Sequence, residues 1–180
     1  MVRPTLLAAL ALSLAFSLPS RAEESVPPEV AAFIPAGFQA QRYLVNDFNH
    51  DDRLDALLML QGSSDARPVL LLLRSDDDKL ALATRNDRAI LPKGWFSDPF
   101  QGISVGSGWF SLAHRVENCL FKQRFHWSRA QQTWLLDEIT LTSYGKIRNV
   151  EHIIGITTQK GNSLSPVTFA DFSAREHTLN

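Results

Sequence analysis

Short apolar runs separated by turn residues dominate the chain from Gln39 onward. Runs of this length, bounded by Gly, Pro, Asn, Asp and Ser, are typical of antiparallel β proteins. The pattern predicts strands over residues 40–45, 55–61, 68–74, 79–85, 101–105, 108–115, 118–127, 133–142, 150–157 and 166–171. The predicted fold class is all-β, with one or more antiparallel sheets in a sandwich or a partial-propeller-like arrangement.

Two of these runs, 56–60 and 69–73, are apolar at every position. A strand that is apolar on both faces is covered on both faces, so these two are predicted to lie at the centre of the core. The Ser75–Lys79 segment between the second run and the next strand contains three adjacent aspartates, and it is predicted to be a solvated hairpin turn.

In the strand predicted over residues 118–127, apolar and polar side chains alternate from Cys119 to Trp127, which indicates one buried face and one wet face. The buried face would carry Cys119, Phe121, Phe125 and Trp127. The wet face would carry Lys122, Arg124 and His126, and this basic row is a candidate surface for an acidic partner.

Residues 1–22 have the pattern of a secretory signal peptide. Arg3 precedes an apolar run from Leu6 to Leu18, and Ser20-Arg21-Ala22 forms a small-x-small processing site. The run is shorter than the roughly 20 residues that a membrane-spanning helix needs, and no later apolar stretch reaches that length. We therefore expect a mature chain that starts near Glu23, without a membrane span, in the periplasm or outside the cell.

The remaining 158 residues are enough for one domain with a sizeable core. Residues 23–38 contain Pro27-Pro28, Pro35 and Gly37, and are predicted to be a spacer with a short irregular or helical segment. Residues 39–180 are predicted to form a single β domain.

The mature chain would carry 16 basic and 19 acidic residues with the charges mixed. A basic stripe is the expected signature of a nucleic-acid-binding protein, so nucleic acid is not a predicted partner. Cys119 is the only cysteine, which excludes an internal disulfide.

The most specific motif is Asp47-Phe48-Asn49-His50-Asp51-Asp52-Arg53-Leu54-Asp55, between two predicted strands. Side-chain oxygens at alternate positions of a tight loop can turn towards one centre, and Ca²⁺ prefers six to eight oxygen ligands at about 2.3–2.6 Å. The spacing predicts a weak, structural calcium site. Its ligands would be the side chains of Asp47, Asn49, Asp51 and Asp55 and the backbone carbonyl of Arg53.

This loop resembles the calcium loops of integrin-type FG-GAP and VCBS repeats, which have the pattern Asp-x-Asp/Asn-x-Asp-Gly-x-x-Asp between β-strands. The match covers about fifteen residues, from Val45 to Leu60. Asp52 replaces the usual glycine at a position that normally adopts positive φ, where Asp is tolerated better than most residues. Two other interpretations stay open: a metal-free turn closed by hydrogen bonds between side chains and backbone, and a solvated acidic loop.

A wider resemblance follows the loop through Arg67–Leu73, Ala83–Asp87 and Asp98–Ile103. These segments are similar to those of a group of small, uncharacterised, exported bacterial β proteins. Many members of that group carry a Cys-x-x-Cys-type cluster where this chain has Leu91–Phe96. The resemblance implies a fold, and it implies no activity.

The leading functional hypothesis is a non-enzymatic, calcium-stabilised domain that binds a protein or an envelope component, as an inhibitor or immunity-type partner would. Trp95 and Phe96, next to Lys93, are candidate partner-binding residues together with the wet face of the 118–127 strand.

One alternative is an envelope hydrolase acting on glycan or peptide, with its acid and base among Asp98, His126, Asp137 and Glu138. Another is a structural accessory protein, which should lack a large exposed apolar patch. Ser107, flanked by glycines, is predicted to lie in a plain hairpin turn.

Overall fold

A computed structural model of the protein describes residues 26–94 and 97–178. Within these ranges the chain forms two antiparallel sheets, which confirms the predicted all-β class. The predicted signal peptide, residues 1–22, and both Trp95 and Phe96 lie outside the described residues.

Sheet A has the order β1-β2-β3-β4, formed by β1 Gln39–Asn46, β2 Asp55–Gln61, β3 Val69–Arg74 and β4 Leu80–Asn86. Sheet B has the order β5-β6-β7-β8-β9, formed by β5 Phe100–Gly106, β6 Trp109–Val116, β7 Cys119–Ser128, β8 Thr133–Ile147 and β9 Val150–Lys160.

The two sheets share one apolar core, so the architecture is a sandwich. Sheet A contributes side chains from the alternate positions of β2 and β3 that face sheet B. Sheet B contributes an aromatic layer, in which the Phe110 and Phe125 rings stack at a centroid distance of 5.1 Å. The buried members of this core include Leu57, Met59, Val69, Leu71, Phe110, Leu112, Phe125, Trp127, Trp134, Leu136, Phe169 and Phe172.

The opposite face of sheet A is also covered, by the N-terminal segment. A single helical turn, α1 Pro28–Ala31, places Val30 with no exposed surface against this face. Proline is suited to the first turn of a helix, because the missing N–H would have no partner there. The second core explains why β2 and β3 are apolar at every position, as predicted, and its strand members are Ala56, Leu58, Leu60, Leu70 and Leu72. No helix in the described part of the chain is long and apolar enough to cross a bilayer.

The prediction of a strand over residues 166–171 is wrong. Only an isolated bridge between Leu135 and Thr168 forms there, at the start of β8. The chain then turns, because the Thr168 hydroxyl donates to Asp171 Oδ2 at 2.6 Å and the Phe172 amide bonds back to the Thr168 carbonyl. This turn directs Phe169 and Phe172 into the core.

The last hairpin is longer than the sequence pattern predicts. β8 continues to Ile147 and β9 to Lys160, and only two residues connect them. Arg148 and Asn149 both have positive φ, of 50° and 66°, which is the geometry of a type I′ hairpin turn. The long hairpin therefore makes β9 the outer strand of sheet B.

Two buried polar side chains connect distant segments of the sandwich. The Arg67 guanidinium is fully buried, donates to both oxygens of Asp98 at 2.8 and 2.6 Å, and also bonds the Leu91 carbonyl. Partial burial raises the pKa of Asp98, but Arg67 and the Phe100 amide outweigh it and hold that pKa below its usual value. The buried Asn86 amide donates to the Phe169 and Phe172 carbonyls and so fixes the C-terminal segment against β4.

Candidate functional site

The acidic loop 47–55 is the turn that joins β1 to β2. These strands pair in antiparallel register, with Asn46 opposite Asp55. Two residues of the turn, His50 and Asp52, adopt positive φ of 61° and 65°. Asp52 therefore has the backbone conformation that the glycine of the resembled loops supplies.

Asp47 organises the turn through its carboxylate. Oδ1 accepts the amides of Asn49 and Asp51 at 3.3 and 3.2 Å, and Oδ2 accepts the amide of Asp52 at 3.2 Å. Partial burial raises the pKa of Asp47, but these backbone donors together outweigh it and leave the pKa below its usual value. The carboxylate thus satisfies backbone groups that the reversal of the chain leaves unpaired.

Asp55 closes the loop from inside the protein. The residue is 1% exposed, and its two oxygens accept the amides of Phe48 at 2.8 Å and Arg74 at 2.9 Å. Burial raises the pKa of Asp55 to about 6, the two amides act against that shift, and the nearby carboxylates of Asp51 and Asp47 add to it. Asp55 therefore links the loop to β3 and lies close enough to the other carboxylates to repel them.

The remaining predicted ligands contact one another. Asn49 Nδ2 donates to Asp51 Oδ2 at 2.9 Å, while the Arg53 amide donates to Asp51 Oδ1 at 3.0 Å. The Arg53 guanidinium lies 3.2 Å from Asp51 and 2.6 Å from Asp76 of the solvated β3–β4 turn. A cationic side chain therefore already neutralises part of the acidic loop.

The donor chemistry of the loop fits calcium, although its carboxylates do not surround a common centre. Within residues 26–94 and 97–178, no group of three or more His, Cys, Asp or Glu side chains is arranged to hold a metal ion. One oxygen of the loop is nevertheless without a partner: Asn49 Oδ1 is buried and accepts no hydrogen bond. Buried oxygens are normally satisfied, so this atom is the observation that favours an additional ligand.

The loop also attaches sheet A to sheet B. The Gly108 amide donates to the Asp47 carbonyl at 2.8 Å, and Trp134 Nε1 donates to the Phe48 carbonyl at 2.9 Å. Gly108 has φ of 72°, and a Cβ atom at that position would lie 2.0 Å from the imidazole of His50. The acidic loop therefore packs directly on the β5–β6 turn.

At this contact Ser107 meets His50, a pairing across 57 residues that the sequence pattern did not indicate. Ser107 Oγ lies 3.0 Å from His50 Nδ1, and the rings of His50 and His126 are 6.0 Å apart. A serine hydrolase also needs a group that orients the base. Among the described residues, no carboxylate accepts a hydrogen bond from the His50 ring.

The acids and bases of the hydrolase alternative are dispersed. Asp98 is paired with Arg67, whereas Asp137 and Glu138 both contact Arg124, at 2.9 and 3.4 Å. A groove of 480 Å³ lies on the inner face of sheet B beside the C-terminal segment. Its ionisable lining side chains are Glu176 and His177, and none of the four candidate residues lines it.

The polar face of β7 has the predicted orientation, and the charge of Arg124 is neutralised within the chain. Lys122 and His126 are exposed, and the inward positions Gln123, Phe125 and Trp127 are buried. Arg124 donates to both oxygens of Asp137, at 3.1 and 2.9 Å. Lys122 and His126 thus remain as the exposed polar members of this row.

His114 and His126 lie on opposite faces of sheet B. His114 is fully buried opposite Phe121, with Nδ1 3.3 Å from Gln123 Oε1 and Nε2 3.4 Å from the Leu91 amide. Burial lowers the pKa of His114 to about 4, although the bond to Gln123 opposes that shift. His114 is therefore a neutral core residue.

The contribution of His114 to the free energy of unfolding, taken as wild type minus His114→Gln, is expected to fall as pH is lowered from about 6.5 towards 4, because the unfolded chain then protonates His114 before the folded chain does. Asp55, whose pKa burial raises to about 6, acts in the opposite direction in both proteins and therefore does not enter this difference. The difference in pKa corresponds to about 3 kcal/mol at 1.36 kcal/mol per unit. Urea unfolding of wild type and His114→Gln at several pH values measures this loss. Parallel pH profiles for the two proteins would contradict it.

The sequence pattern did not indicate that, among residues 26–94 and 97–178, most of the large exposed apolar side chains lie on the β8–β9 hairpin. All eleven residues of β9 are exposed, and β9 pairs on one side only, with β8. The exposed fractions of the large side chains are 60% for Ile147, 57% for Val150, 57% for Ile153, 67% for Ile154 and 63% for Ile156. A run of isoleucines signals a buried strand from sequence alone, so its exposure is visible only in the fold.

Comparison with known proteins gives no match: no protein-family model, no curated protein and no solved structure is similar to this chain.

Proposed function

We propose that the protein is an exported, non-enzymatic β-sandwich domain that binds another protein or an envelope component by strand addition to β9. The observation that carries the proposal is the exposed apolar edge strand Val150–Lys160. The signal-peptide pattern of residues 1–22 supports the proposal of export. An inhibitor or immunity-type partner of a secreted protein would have these properties.

Strand addition is the binding mode that suits this edge. An outer strand offers a row of unpaired N–H and C=O groups, and an added strand pairs with them while its side chains contact alternate positions. The apolar side chains of β9 supply the contact area, since contiguous exposed apolar surface on a soluble domain commonly marks an interaction site. A structural accessory protein has no use for such a patch, which favours the binding role.

Site-specific photo-crosslinking from β9 tests the proposal. A benzophenone side chain at Ile154, 67% exposed, is expected to capture a defined partner from envelope extract. The matched control is the same group at Leu82, which is 49% exposed on the opposite outer strand β4. Equal capture from both positions, or none from Ile154, would contradict binding at β9.

The hydrolase alternative is favoured by one observation, the contact of 3.0 Å between Ser107 and His50. A fluorophosphonate probe reacts with an activated serine. Labelling of wild type that is lost in Ser107→Ala would support the hydrolase, and wild type that is not labelled would oppose it.

We further propose that the acidic loop binds Ca²⁺ weakly and structurally. Asn49 Oδ1, the side-chain oxygens of Asp47, Asp51 and Asp55, and the Arg53 carbonyl would be the ligands. The three carboxylates do not surround a common centre in the metal-free loop, so they would turn towards the ion on binding. The proposal rests on two observations. Asn49 Oδ1 is buried without a hydrogen-bond partner, and the carboxylates of Asp47 and Asp51 repel that of Asp55, a repulsion that a divalent cation would relieve. The metal would stabilise the turn between β1 and β2 and would take no part in any reaction.

Calcium is expected to raise the thermal midpoint of the protein. With a Kd of about 10⁻⁴–10⁻³ M, 10 mM Ca²⁺ adds roughly 1.4–2.7 kcal/mol, or several degrees, over the protein in chelator. Asn49→Ala removes the orphaned oxygen and should abolish the shift, whereas Asp77→Asn in the solvated β3–β4 turn should keep it. An identical melt with calcium and with chelator would refute the site.

A further inference from the structure

The end of the β8–β9 hairpin extends beyond the other strands of sheet B. β7 pairs with β8 as far as the Cys119–Ser143 pair, and the Tyr144 amide donates to the Asn118 carbonyl of the β6–β7 turn at 2.8 Å. Past this point β9 is the strand that pairs with β8. Residues 145–152, defined here as the arm, therefore form a two-stranded hairpin of three residue pairs, about 10 Å long at roughly 3.3 Å per pair.

The outer end of the arm combines apolar and cationic side chains. Ile147 and Val150 pair across the two strands and are 60% and 57% exposed. Lys146 and Arg148 precede and follow Ile147 along the chain, and both are exposed. Neither of these cations forms a salt bridge with any of the described residues. The tip thus presents an apolar pair beside two unpaired positive charges.

The carboxylates near the arm leave its tip positive. Glu151 faces Lys146 in the β8–β9 register, but its carboxylate bonds Arg115 on β6. Glu117 is exposed in the β6–β7 turn, which lies at the base of the arm. Together with Arg148, these residues are three cations and two carboxylates, with a net charge of +1. An anionic surface that approaches the tip therefore meets the unpaired cations first.

We infer that the arm binds the surface of an anionic lipid bilayer, with Ile147 and Val150 inserted among the headgroups and Lys146 and Arg148 against the lipid phosphates. Segments that lie in this interface bury their apolar side chains about 5–10 Å deep, which the arm can reach. Each Lys or Arg near an anionic surface strengthens the attraction by roughly five-fold in affinity. The inference goes beyond the proposed function, because it uses the tip of the hairpin and not the edge of β9.

A bilayer suits the tip better than an acidic protein does. A specific protein interface takes about 800 Å² and some 20–30 residues from each partner. The arm has eight residues, and only its outer end carries the apolar pair and the free cations. A bilayer surrounds an inserted side chain with lipid however narrow the inserted segment is, so a small tip is sufficient.

Co-sedimentation with lipid vesicles tests the inference. The chain from Glu23 onward is used, because an uncleaved signal peptide would itself bind lipid, and chelator prevents calcium from bridging protein and lipid. Wild type is expected to bind vesicles that contain phosphatidylglycerol, and to bind pure phosphatidylcholine roughly 25-fold more weakly. Lys146→Gln/Arg148→Gln should lose the same factor on the anionic vesicles. Ile147→Ser should lose about ten-fold, from the apolar surface that it no longer buries.

Leu54→Ser is the matched control for Ile147→Ser. Leu54 is 62% exposed in the acidic loop, which packs on the β5–β6 turn at the other end of β6 from the arm. This variant should bind anionic vesicles as wild type does. Thermal melts followed by circular dichroism establish that each variant is folded.

An environment-sensitive fluorophore identifies the part of the protein that touches lipid. Nitrobenzoxadiazole attached to Ile147→Cys, in a Cys119→Ser background, should shift its emission to shorter wavelength when anionic vesicles are added. The same label on Leu54→Cys should not shift. A wild type that ignores anionic vesicles, that binds both lipid compositions equally, or whose Ile147 label stays in water would overturn the inference. Binding of the tip to soluble poly-glutamate in place of vesicles would identify an acidic protein partner and would overturn it as well.

Discussion

Trp134→Ala is expected to lower the free energy of unfolding by about 3–5 kcal/mol, the range for a large aromatic side chain removed from a core. Trp134 is 1% exposed and lies between the rings of Trp127 and Phe110, at centroid distances of 4.6 and 6.3 Å. Its indole N–H also satisfies the Phe48 carbonyl in the acidic loop. The substitution would therefore open a cavity and leave a buried carbonyl without a donor.

Trp134→Phe separates these two effects. It keeps most of the ring volume but removes the N–H, so the loss should be about 1–3 kcal/mol from the unsatisfied Phe48 carbonyl. Urea unfolding followed by far-UV circular dichroism measures both variants without relying on tryptophan fluorescence. A Trp134→Ala protein as stable as Leu54→Ala, at a position 62% exposed, would contradict the packing of the two sheets described above.

Asp98→Asn is expected to cost about 3 kcal/mol, because the fully buried Arg67 guanidinium loses its counter-ion. The lower end of the usual range applies, since the Asp98 side chain is 35% exposed and water can reach the site. The Leu91 carbonyl would remain as the other partner of Arg67. Burial of an unpaired cation is thus the cause of the loss.

Two variants identify that cause. Replacing Arg67 as well, in Arg67→Met/Asp98→Asn, removes the buried charge and should recover part of the stability. Asp137→Asn breaks a comparable contact with Arg124 at the surface and should cost less than about 1 kcal/mol. If urea unfolding gave equal losses in the free energy of unfolding for Asp98→Asn and Asp137→Asn, the burial of Arg67 would not be the cause of the loss.

The strands of the sandwich could be predicted from the sequence because their apolar periodicity is local. The uniformly apolar runs at 56–60 and 69–73 became β2 and β3, covered on both faces. The predicted strand at 166–171 failed for a local reason too. The Thr168 hydroxyl bonds Asp171 and closes a turn, a polar interaction that an apolar pattern does not contain.

The contacts between distant segments depend on topology, and the sequence could not predict them. Arg67 and Asp98 each begin one segment of the resemblance to small exported β proteins. Their ion pair forms only where two distant loops meet in the fold, so the sequence does not indicate it. The prediction for Arg53 concerns its backbone carbonyl, and the contacts of its guanidinium with Asp51 and Asp76 are a separate feature that the loop spacing does not indicate. A strand over residues 150–157 is predicted, but the exposure of its isoleucines is not, because nothing in a sequence tells whether a strand has a neighbour on its second side.

The acidic loop and the β9 edge therefore have separate roles in this account. The loop orders the β1–β2 turn and attaches it to sheet B through Trp134 and Gly108. The edge strand provides the surface for a partner. Substitutions in the loop should change stability and leave binding by the folded protein intact, while substitutions of exposed β9 side chains should do the reverse.

Amide hydrogen exchange across Val150–Lys160, measured residue by residue in the free and the partner-bound protein, is the test of strand addition to β9. In the free protein the amides that point away from β8 have no strand to pair with and should exchange fast, while those bonded to β8 exchange slowly. Binding should slow the outward amides of β9 and leave the outer amides of β4 unchanged. Outward amides of β9 that exchange as fast in the complex as in the free protein would contradict strand addition.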